Sequence, residues 1–128
     1  RFTLLTGGNR TSLPRQQTLR ALIDWSYELL TEKEKILWQR LSVFNDGWTM
    51  NSAEEICSDE IISKNDIPDL LIHLADKSII IYEDLKDRFR MLETIKQYGS
   101  VKLNENNDET GIHLKLINYY VLVLIFLH

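Results

Sequence analysis

The side chains with the most reactive chemistry in this sequence are one cysteine and three histidines, and their spacing favours structural roles. Cys57, His73, His113 and His128 stand far apart along the chain, and a single cysteine cannot give the paired Cys/His spacing of a zinc site. Cys57 and His73 could form a nucleophile–base pair. Cys57, however, stands on the apolar face of a predicted helix, where a thiol more often fills core space. The sequence therefore predicts no catalytic residue and no metal site.

A glycine pair near the N-terminus is the candidate for a phosphate loop. Such a loop requires the spacing Gly-x-x-x-x-Gly-Lys-Ser/Thr. The segment Arg1–Pro14 has neither the second glycine at that spacing nor the lysine. Gly7, Gly8 and Asn9 therefore predict a turn rather than a phosphate cradle.

Size and composition indicate one soluble domain cut from a longer protein. The chain has 128 residues, of which 44% are hydrophobic and 27% charged, and a formal net charge of −4. An acidic balance argues against a nucleic-acid footprint, which is usually basic. One cysteine and no apolar signal segment predict a reducing, cytoplasmic location. The chain begins at Arg1 rather than methionine, so we expect it to continue at both ends in a parent protein.

The stretch from Ile67 to Tyr98 predicts a helix, a small hairpin and a second helix. The first helix carries aliphatic residues at the i, i+3, i+4 and i+7 positions of one helical face: Ile67, Leu70, Leu71 and Leu74. The β-branched and aromatic residues of Ile79–Tyr82 predict a strand. Glu83–Asp87 predicts a polar turn, and Arg88–Met91 predicts the returning strand. A helix followed by a hairpin is the second half of a winged helix-turn-helix.

Two further helices are predicted upstream of this unit. Thr31 and Glu34 have the spacing of a capping box, so a helix should begin there and run to about Val43. The turn formers Asn45–Gly47 end it. Thr49 can cap a short third helix. The order helix, helix, helix, strand, strand is that of a winged helix.

The predicted fold class is therefore mostly α, a winged helix-turn-helix with a three-helix core, a β-hairpin wing and flanking helices. Residues 1–30 form a loop and a helix that ends a preceding helical segment, and 31–103 form the winged-helix domain. Residues 104–111 are a polar linker, and 112–128 start a following, truncated helical module. The first helix is expected to bury one face: Leu19, Leu22, Ile23, Ser26 and Leu30.

The C-terminal segment is strongly apolar, with an unbroken run from Tyr119 to Leu127. Nine residues are too few to cross a bilayer as a helix, which takes about 20. We expect the first helix of a following module. A buried strand and an interfacial anchor are the alternatives.

Charge on the third predicted helix bears on DNA binding. A winged helix that reads DNA needs Arg or Lys on this helix for phosphates and base edges. The outward positions here are Asp66, Asp69, His73 and Asp76, followed by Lys77. The clearly basic cluster lies off this helix: Arg10, Arg15 and Arg20. These charges predict contact with protein rather than with DNA.

A series of blocks resembles the region just after the nucleotide-binding domain in bacterial STAND ATPases, the NB-ARC-like signal-transduction ATPases of LuxR- or SARP-type regulators. The blocks are RFTLLTGG, PRQQTLRALIDWSYELL, RLSVFNDGWTMNSAEEIC, LADKSIII and RFRMLETIKQY, in order from about Arg1 to Leu103. The resemblance implies a parent chain with an NTPase core, a helical domain, a winged helix and a helical-repeat sensor. ATP or ADP would bind the parent. The fragment lacks Walker A and B segments, so it should be neither an enzyme nor a cofactor-binding unit by itself.

The resemblance also implies a nucleotide-sensing position. In related STAND proteins a Met-His-Asp motif after the wing touches the bound diphosphate. Its place here is taken by Met91, Leu92 and Glu93. Leucine cannot donate the hydrogen bond of the motif histidine. Cationic contacts could come instead from Arg90, or from the pair Arg15 and Arg20.

These expectations define a non-catalytic regulatory module for signal transduction and transcription regulation. It would pack on the nucleotide-binding domain of its own chain in a nucleotide-dependent switch. Its interdomain face would be Asp66, Asp69, His73 and Asp76. Expected partners are the nucleotide-binding and helical-repeat domains, with self-association through 112–127 as a further expectation and no membrane. The alternatives are a DNA-binding winged helix of a transcription factor and a small soluble enzyme.

Overall fold

The computed structural model describes residues 14–127, and the loop predicted before them lies outside this range. Six α-helices, a 3-10 turn and a two-stranded hairpin follow one another: α1 (Pro14–Glu28), α2 (Glu32–Leu41), α3 (Met50–Cys57), the turn Lys64–Asp66, α4 (Ile67–Asp76), β1 (Ile81–Glu83), β2 (Arg88–Arg90), α5 (Glu93–Glu105) and α6 (Glu109–Leu127). Helices α2 to α4 with the hairpin make the predicted winged helix, and α1, α5 and α6 flank it. The predicted fold class is confirmed.

Side-chain caps start α2 and α3 where the sequence predicts them. The Thr31 hydroxyl accepts from the Glu34 N–H at 3.2 Å, and the Glu34 carboxylate accepts from the Thr31 N–H at 2.9 Å. Thr49 and Ser52 form the same reciprocal pair at the start of α3. These bonds satisfy N–H groups that a helix leaves without an internal partner. The capping box at Thr31 and the cap at Thr49 are thus confirmed.

The wing is shorter than its predicted strands because the two isoleucines before β1 belong to the core. Ile79 and Ile80 are buried, and both backbone N–H groups donate to the Leu74 carbonyl at the end of α4. β1 pairs antiparallel with β2, with Tyr82 opposite Phe89. Trp48 exchanges two backbone hydrogen bonds with Phe89 on the other side of β2, at 2.9 and 2.8 Å. The hairpin is thereby fixed to the segment before α3.

The core is a single apolar cluster shared by all six helices and the hairpin. Trp38 on α2 packs edge-to-face against Tyr27 of α1 and lies 5.4 Å, ring to ring, from Tyr98 of α5. The Trp38 indole N–H donates to the Ile95 carbonyl at 2.9 Å, so α5 is bonded as well as packed to α2. The flanking helices are therefore part of the same folded unit.

The buried face of α1 differs from the predicted one. Ile23 and Leu30 are buried as expected, but Leu19 and Leu22 are exposed and Tyr27 is buried in their place. Polar contacts set this rotation: the Tyr27 hydroxyl accepts from Gln39 at 2.7 Å. Hydrophobic spacing alone could not reveal a hydrogen bond to another helix.

The polar run predicted as a linker over 104–111 is mostly helical. α5 continues to Glu105 and α6 begins at Glu109, so Asn106–Asp108 alone lies outside a helix. Asn107 has φ of 58°, a left-handed conformation that Asn tolerates. The polar residues of this segment therefore form the ends of two helices and a three-residue turn, and not a long linker. The apolar segment after it is a helix and not the alternative strand.

Candidate functional site

The α4–wing face is the exposed side of α4 together with the adjoining side of the β1–β2 hairpin. Asp69, Ile72 and Asp76 share one stripe of α4 at i, i+3 and i+7, and all three are exposed. The opposite side of α4 is buried in the core. The amphipathic pattern thus fixes which α4 residues face outward. Three of the four predicted interdomain residues, Asp69, His73 and Asp76, are exposed as expected.

An apolar groove of about 390 Å³ runs between α4 and the wing. Ile72 and Ala75 line it from the helix, and Tyr82 and Phe89 line it from the hairpin. Ile72 is 54% exposed and Tyr82 is 43% exposed, so both walls of the groove present apolar surface to solvent. The groove is therefore open to a partner between these two side chains.

Carboxylates stand at the edges of this groove. Asp76 lines it from α4 and Asp87 lines it from the wing turn. The Tyr82 hydroxyl donates to the Asp87 carboxylate at 2.6 Å, and this hydrogen bond raises the pKa of Tyr82. Within residues 14–127, none of Asp69, Asp76, Asp84 and Asp87 has a cationic side chain within ion-pair distance. The edges of the groove are negatively charged and uncompensated.

A buried carboxylate on α2 contacts two side chains at the end of α4, those of His73 and the C-cap residue Lys77. Glu34 is 4% exposed, and its carboxylate accepts from Lys77 Nζ at 2.9 Å and lies 3.5 Å from His73 Nδ1. Burial alone raises the pKa of Glu34, but the Thr31 N–H and the Lys77 ammonium outweigh it and the pKa is lowered. The Lys77 ammonium is thus paired within the domain, and the His73 ring lies beside the same carboxylate.

One of the wing arginines forms an ion pair and the other is bonded to a backbone carbonyl. Arg90 Nε lies 3.0 Å from the Glu83 carboxylate across the hairpin, and Arg88 donates to the Asp46 carbonyl at 3.0 Å. Asp66 is paired with Lys33 at 3.0 Å, and this hydrogen bond lowers the pKa of Asp66. Asp66 is consequently compensated, unlike the other predicted interdomain carboxylates.

The predicted nucleotide-sensing residues lie at the end of the wing. Met91 is half-buried against the core, and Leu92 occupies the N-cap position of α5 with 52% of its surface exposed. Leu92 makes no side-chain cap bond, and Glu93 begins the helix. The arginines predicted to supply cationic contacts lie on two separate elements, Arg15 and Arg20 on α1 and Arg90 on β2. Arg20 Nε is 3.9 Å from the Asp24 carboxylate.

A polar cavity of about 260 Å³ has Glu93 in its wall and was not predicted. Glu93, Lys96 and Gln97 of α5 line it with residues from the end of α2 and with His113 of α6. The Gln97 side-chain oxygen is buried and has no hydrogen-bond partner. No sequence signal could have found this cavity because its walls come from three separate elements.

Cys57 and His73 do not form a nucleophile–base pair in this structure. Cys57 is fully buried, and burial raises the pKa of its thiol to about 12. A protonated, enclosed thiol is a packing group and not a nucleophile. His73 faces Glu34 on the surface of α4. Among residues 14–127 no group of His, Cys, Asp and Glu side chains is placed to hold a metal ion.

Helix α6 exposes most of its apolar surface. It is 19 residues long and apolar enough, by length and composition, to cross a membrane, and 6% of its apolar window is buried. A single helix of this kind is weak evidence for a membrane span. Its N-terminal half is attached to the domain: Ile112 packs in the core, Lys115 donates to the Ser58 carbonyl and Tyr119 donates to Asn51 at 2.8 Å.

Comparison with known proteins gives relatives that are much longer than this chain. Proteins of Mycobacterium bovis and Mycobacterium tuberculosis, each named "Putative HTH-type transcriptional regulator", are 39% identical over 121 residues. The match covers 93% of this chain and 14% of each relative. An "Uncharacterized protein" of Mycobacterium bovis is 30% identical over 130 residues, covering 94% of this chain and 33% of that protein.

No protein-family model matches the chain, and no solved structure matches it. The names of the 39% identical relatives agree with the helix-turn-helix type of the observed fold. The chain spans about one seventh of the length of these relatives, since it covers 14% of them.

Proposed function

We propose that this chain is the winged-helix module of a larger transcriptional regulator, and that it docks on another protein domain through its α4–wing face. The relatives' names support transcription regulation. The observation that carries the docking role is the asymmetry of charge on this face. Asp69 and Asp76 are exposed and have no ion-pair partner within the described residues, while His73 and Lys77 are paired with Glu34.

This asymmetry opposes the usual way in which a winged helix reads DNA. A reading helix lies in the major groove, and its cations meet phosphates and base edges. In that position Asp69 and Asp76 would face a polyanion without compensation, and the Lys77 ammonium would first have to leave the buried Glu34 carboxylate. Each of these costs opposes binding, whereas a basic protein surface would gain from the same charges.

The test is a fluorescence titration of labelled duplex DNA with this chain at low salt, where phosphate contacts are strongest. We expect no binding that depends on α4. The matched variants are Asp69→Lys with Asp76→Lys, which reverse the charge of the face, and Glu60→Lys, which adds a cation at an exposed position after α3. Tight binding by the native chain, weakened by substitution of Ile72, would overturn the docking role.

The finer form of this proposal is a nucleotide-dependent switch of the STAND type. It rests on the resemblance of the blocks from Arg1 to Leu103, and it makes the module a non-catalytic, cytoplasmic partner of an NTPase core that binds ATP or ADP. Leu92 stands where the motif has histidine and cannot donate a hydrogen bond, so we expect contact with the diphosphate to be weak or absent here. In a chain that contains both units, Asp69→Lys with Asp76→Lys should change the rate of nucleotide release, which stopped-flow fluorescence measures.

DNA binding is the second candidate, because the relatives' names support it more directly than they support a nucleotide switch. The cations that it could use are Lys86 and Arg88 on the wing and Arg15 on α1, whereas Arg20 on α1 already lies 3.9 Å from Asp24. Binding through these residues would use the wing or α1 rather than α4. Lys86→Ala with Arg88→Ala should then abolish binding in the titration, whereas substitutions on α4 should not.

Helix α6 is proposed to contact protein rather than membrane. A helix that spans the hydrocarbon core needs about 20 residues in it. The hydrogen bonds of Lys115 and Tyr119 hold the first half of α6 on the domain. Only residues 120–127 remain beyond these attachments. Co-sedimentation with neutral lipid vesicles should leave the native chain in the supernatant.

A further inference from the structure

We infer that the groove of the α4–wing face accepts a basic amphipathic helix of a partner domain. The proposal rests on the docking role above and names the chemistry of the partner. The apolar side chains of that helix would enter between Ile72 and Tyr82. Its lysines and arginines would meet the carboxylates at the edges.

The shape of the groove suits a helix. One wall is α4, and the other is the face of a hairpin on which Tyr82 and Phe89 are cross-strand partners with ring centroids 4.9 Å apart. The free backbone edge of β1 lies at the side of this face and not within it, since β2 is bonded to β1 and Trp48. A groove lined by side chains is the usual receptor for anchors spaced at i, i+3 or i+4, and i+7.

The charge around the groove indicates which side chains the partner helix should carry beside its apolar stripe. Asp69 and Asp76 flank Ile72 along α4, one turn before it and one turn after it. On the wing side, Asp87 lines the groove and accepts from the Tyr82 hydroxyl, and Asp84 lies in the same turn. Cations placed on both sides of an apolar stripe would therefore find carboxylates on both sides of the groove. Complementary rim charge favours this partner and penalises an acidic helix of the same shape.

The nearby cations do not neutralise the negative charge of these four aspartates. His73 and Lys77 are paired with Glu34, and Arg90 is paired with Glu83. Arg88 donates to the Asp46 carbonyl and lines a different cavity. Lys86, at the tip of the wing, has no ion pair within residues 14–127. One lysine and four carboxylates leave the α4–wing face acidic.

The experiment uses this chain and two labelled peptides of roughly four helical turns. Both carry leucines at one amphipathic stripe; one has lysine and the other glutamate at the remaining positions. In fluorescence anisotropy the lysine peptide should bind, more weakly as salt is added, and at least about tenfold more tightly than the glutamate peptide.

Matched variants locate the binding. Ile72→Arg, in the groove, should weaken binding of the lysine peptide at least about tenfold. Leu29→Arg, which changes an equally exposed leucine after α1, should leave it unchanged. Asp69→Asn with Asp76→Asn should reduce affinity roughly two- to fivefold per charge pair and flatten the salt dependence. Circular dichroism on each variant confirms that the helices are retained.

Several results would overturn the inference: equal binding of the two peptides, binding that Ile72→Arg does not affect, or no binding. Self-association that Ile72→Arg abolishes would show that a second copy fills the groove, and would also overturn it. The docking role would still stand after any of these results if Asp69→Lys with Asp76→Lys changed the rate of nucleotide release in a chain that contains both units. DNA binding through α4 would instead remove the docking role itself.

Discussion

Glu34 connects the local structure of α2 to the charge of the α4–wing face. One of its carboxylate oxygens accepts from the Thr31 N–H and from Lys77 Nζ, both at 2.9 Å, while the other faces His73. The first bond helps to begin α2, and the others cross to the end of α4. One buried residue therefore caps one helix, holds another against it, and pairs with the ammonium of Lys77.

Replacement of Glu34 by glutamine tests this role through pH. The folded pKa of Glu34 is lowered, so its ionised form adds stability that is present above the ordinary glutamate pKa of 4.5 and is lost as the pH falls through the folded value. We expect Glu34→Gln to reduce the free energy of unfolding by about 1–3 kcal/mol at neutral pH. The difference should shrink below pH 4.5, as measured by urea denaturation across pH.

The control is Glu32→Gln, an exposed carboxylate two residues earlier at the start of the same helix. It should change stability little at any pH. A gap between native chain and Glu34→Gln that stays constant from neutral to acidic pH would contradict an ionised role for Glu34.

Cys57 offers a probe of local opening on α3. Its thiol is fully buried and its pKa is raised to about 12, so at pH 8 it is both enclosed and protonated. We expect reaction with a disulfide reagent to be at least about 100-fold slower in the folded chain than in denaturant. The rate is measured from the thiolate that the reagent releases, and it reports on Cys57 because the sequence has one cysteine. Fast reaction of the folded chain would mean that α3 opens readily, and would reopen the question of a reactive thiol.

At the scale of elements, the contact between α2 and α5 depends on a glycine within a helix. A Cβ at Gly99 would lie 2.7 Å from Trp38 Cδ1 and 2.9 Å from its Nε1. Glycine costs about 1 kcal/mol in a helix interior, so alanine should stabilise the helix where there is room. Because Trp38 is buried and bonded to Ile95, we expect Gly99→Ala to lose about 2 kcal/mol instead.

Gly111 in α6 is the matched control. A Cβ there would meet nothing closer than 4.0 Å, so Gly111→Ala should raise stability by up to about 1 kcal/mol. Urea denaturation followed by tryptophan fluorescence measures both variants. Stabilisation by both substitutions would show that helix propensity, rather than the packing of Trp38, dominates at Gly99.

The sequence predicted those elements whose signals are local. The capping box at Thr31 and the apolar stripe of α4 each act within a few residues, and each is found in the structure. Gly47 has the left-handed φ of a turn residue, 77°, but α2 ends at Leu41 rather than at about Val43 as predicted. The rotation of α1 was mispredicted because Tyr27 is selected by a hydrogen bond from Gln39 on another helix. The groove at Ile72 was not foreseen, since its second wall comes from a hairpin and depends on tertiary packing.

The candidate site shows the same division. The exposure of Asp69 and Asp76 followed from helical periodicity, and the structure confirms it. The pairing of Lys77 with Glu34 joins residues 43 positions apart and has no signature in either local sequence. The nucleotide-sensing role of Met91, Leu92 and Glu93 remains a prediction.

For the molecule as a whole, Arg40 joins the winged helix to its C-terminal helix. Its guanidinium is buried, lies 2.8 Å from the Asp59 carboxylate and 3.4 Å from that of Asp108, and donates to the Cys57 carbonyl at 2.9 Å. Asp108 is the residue immediately before α6. The start of α6 is therefore positioned by the domain, and its exposed side faces outward in a fixed direction.

That outward side carries a seam with the spacing of a coiled coil. Leu114, Ile117, Val121 and Leu124 recur at alternating steps of three and four residues, and each is about half exposed. They lie opposite Tyr119, which contacts α3 through its bond to Asn51. A seam of this kind removes itself from water by pairing with another apolar helix, and in the isolated chain the available helix is α6 of a second copy.

We therefore expect the chain to self-associate through α6, with a mass that rises with concentration in sedimentation equilibrium. Ile117→Glu with Val121→Glu should make it monomeric, since two carboxylates would be buried in each half of the seam. The matched pair Leu22→Glu with Leu29→Glu places the same charge at equally exposed leucines on or after α1 and should leave association unchanged. A native chain that stays monomeric at all concentrations, or equal loss of association in both pairs, would exclude α6 as the contact.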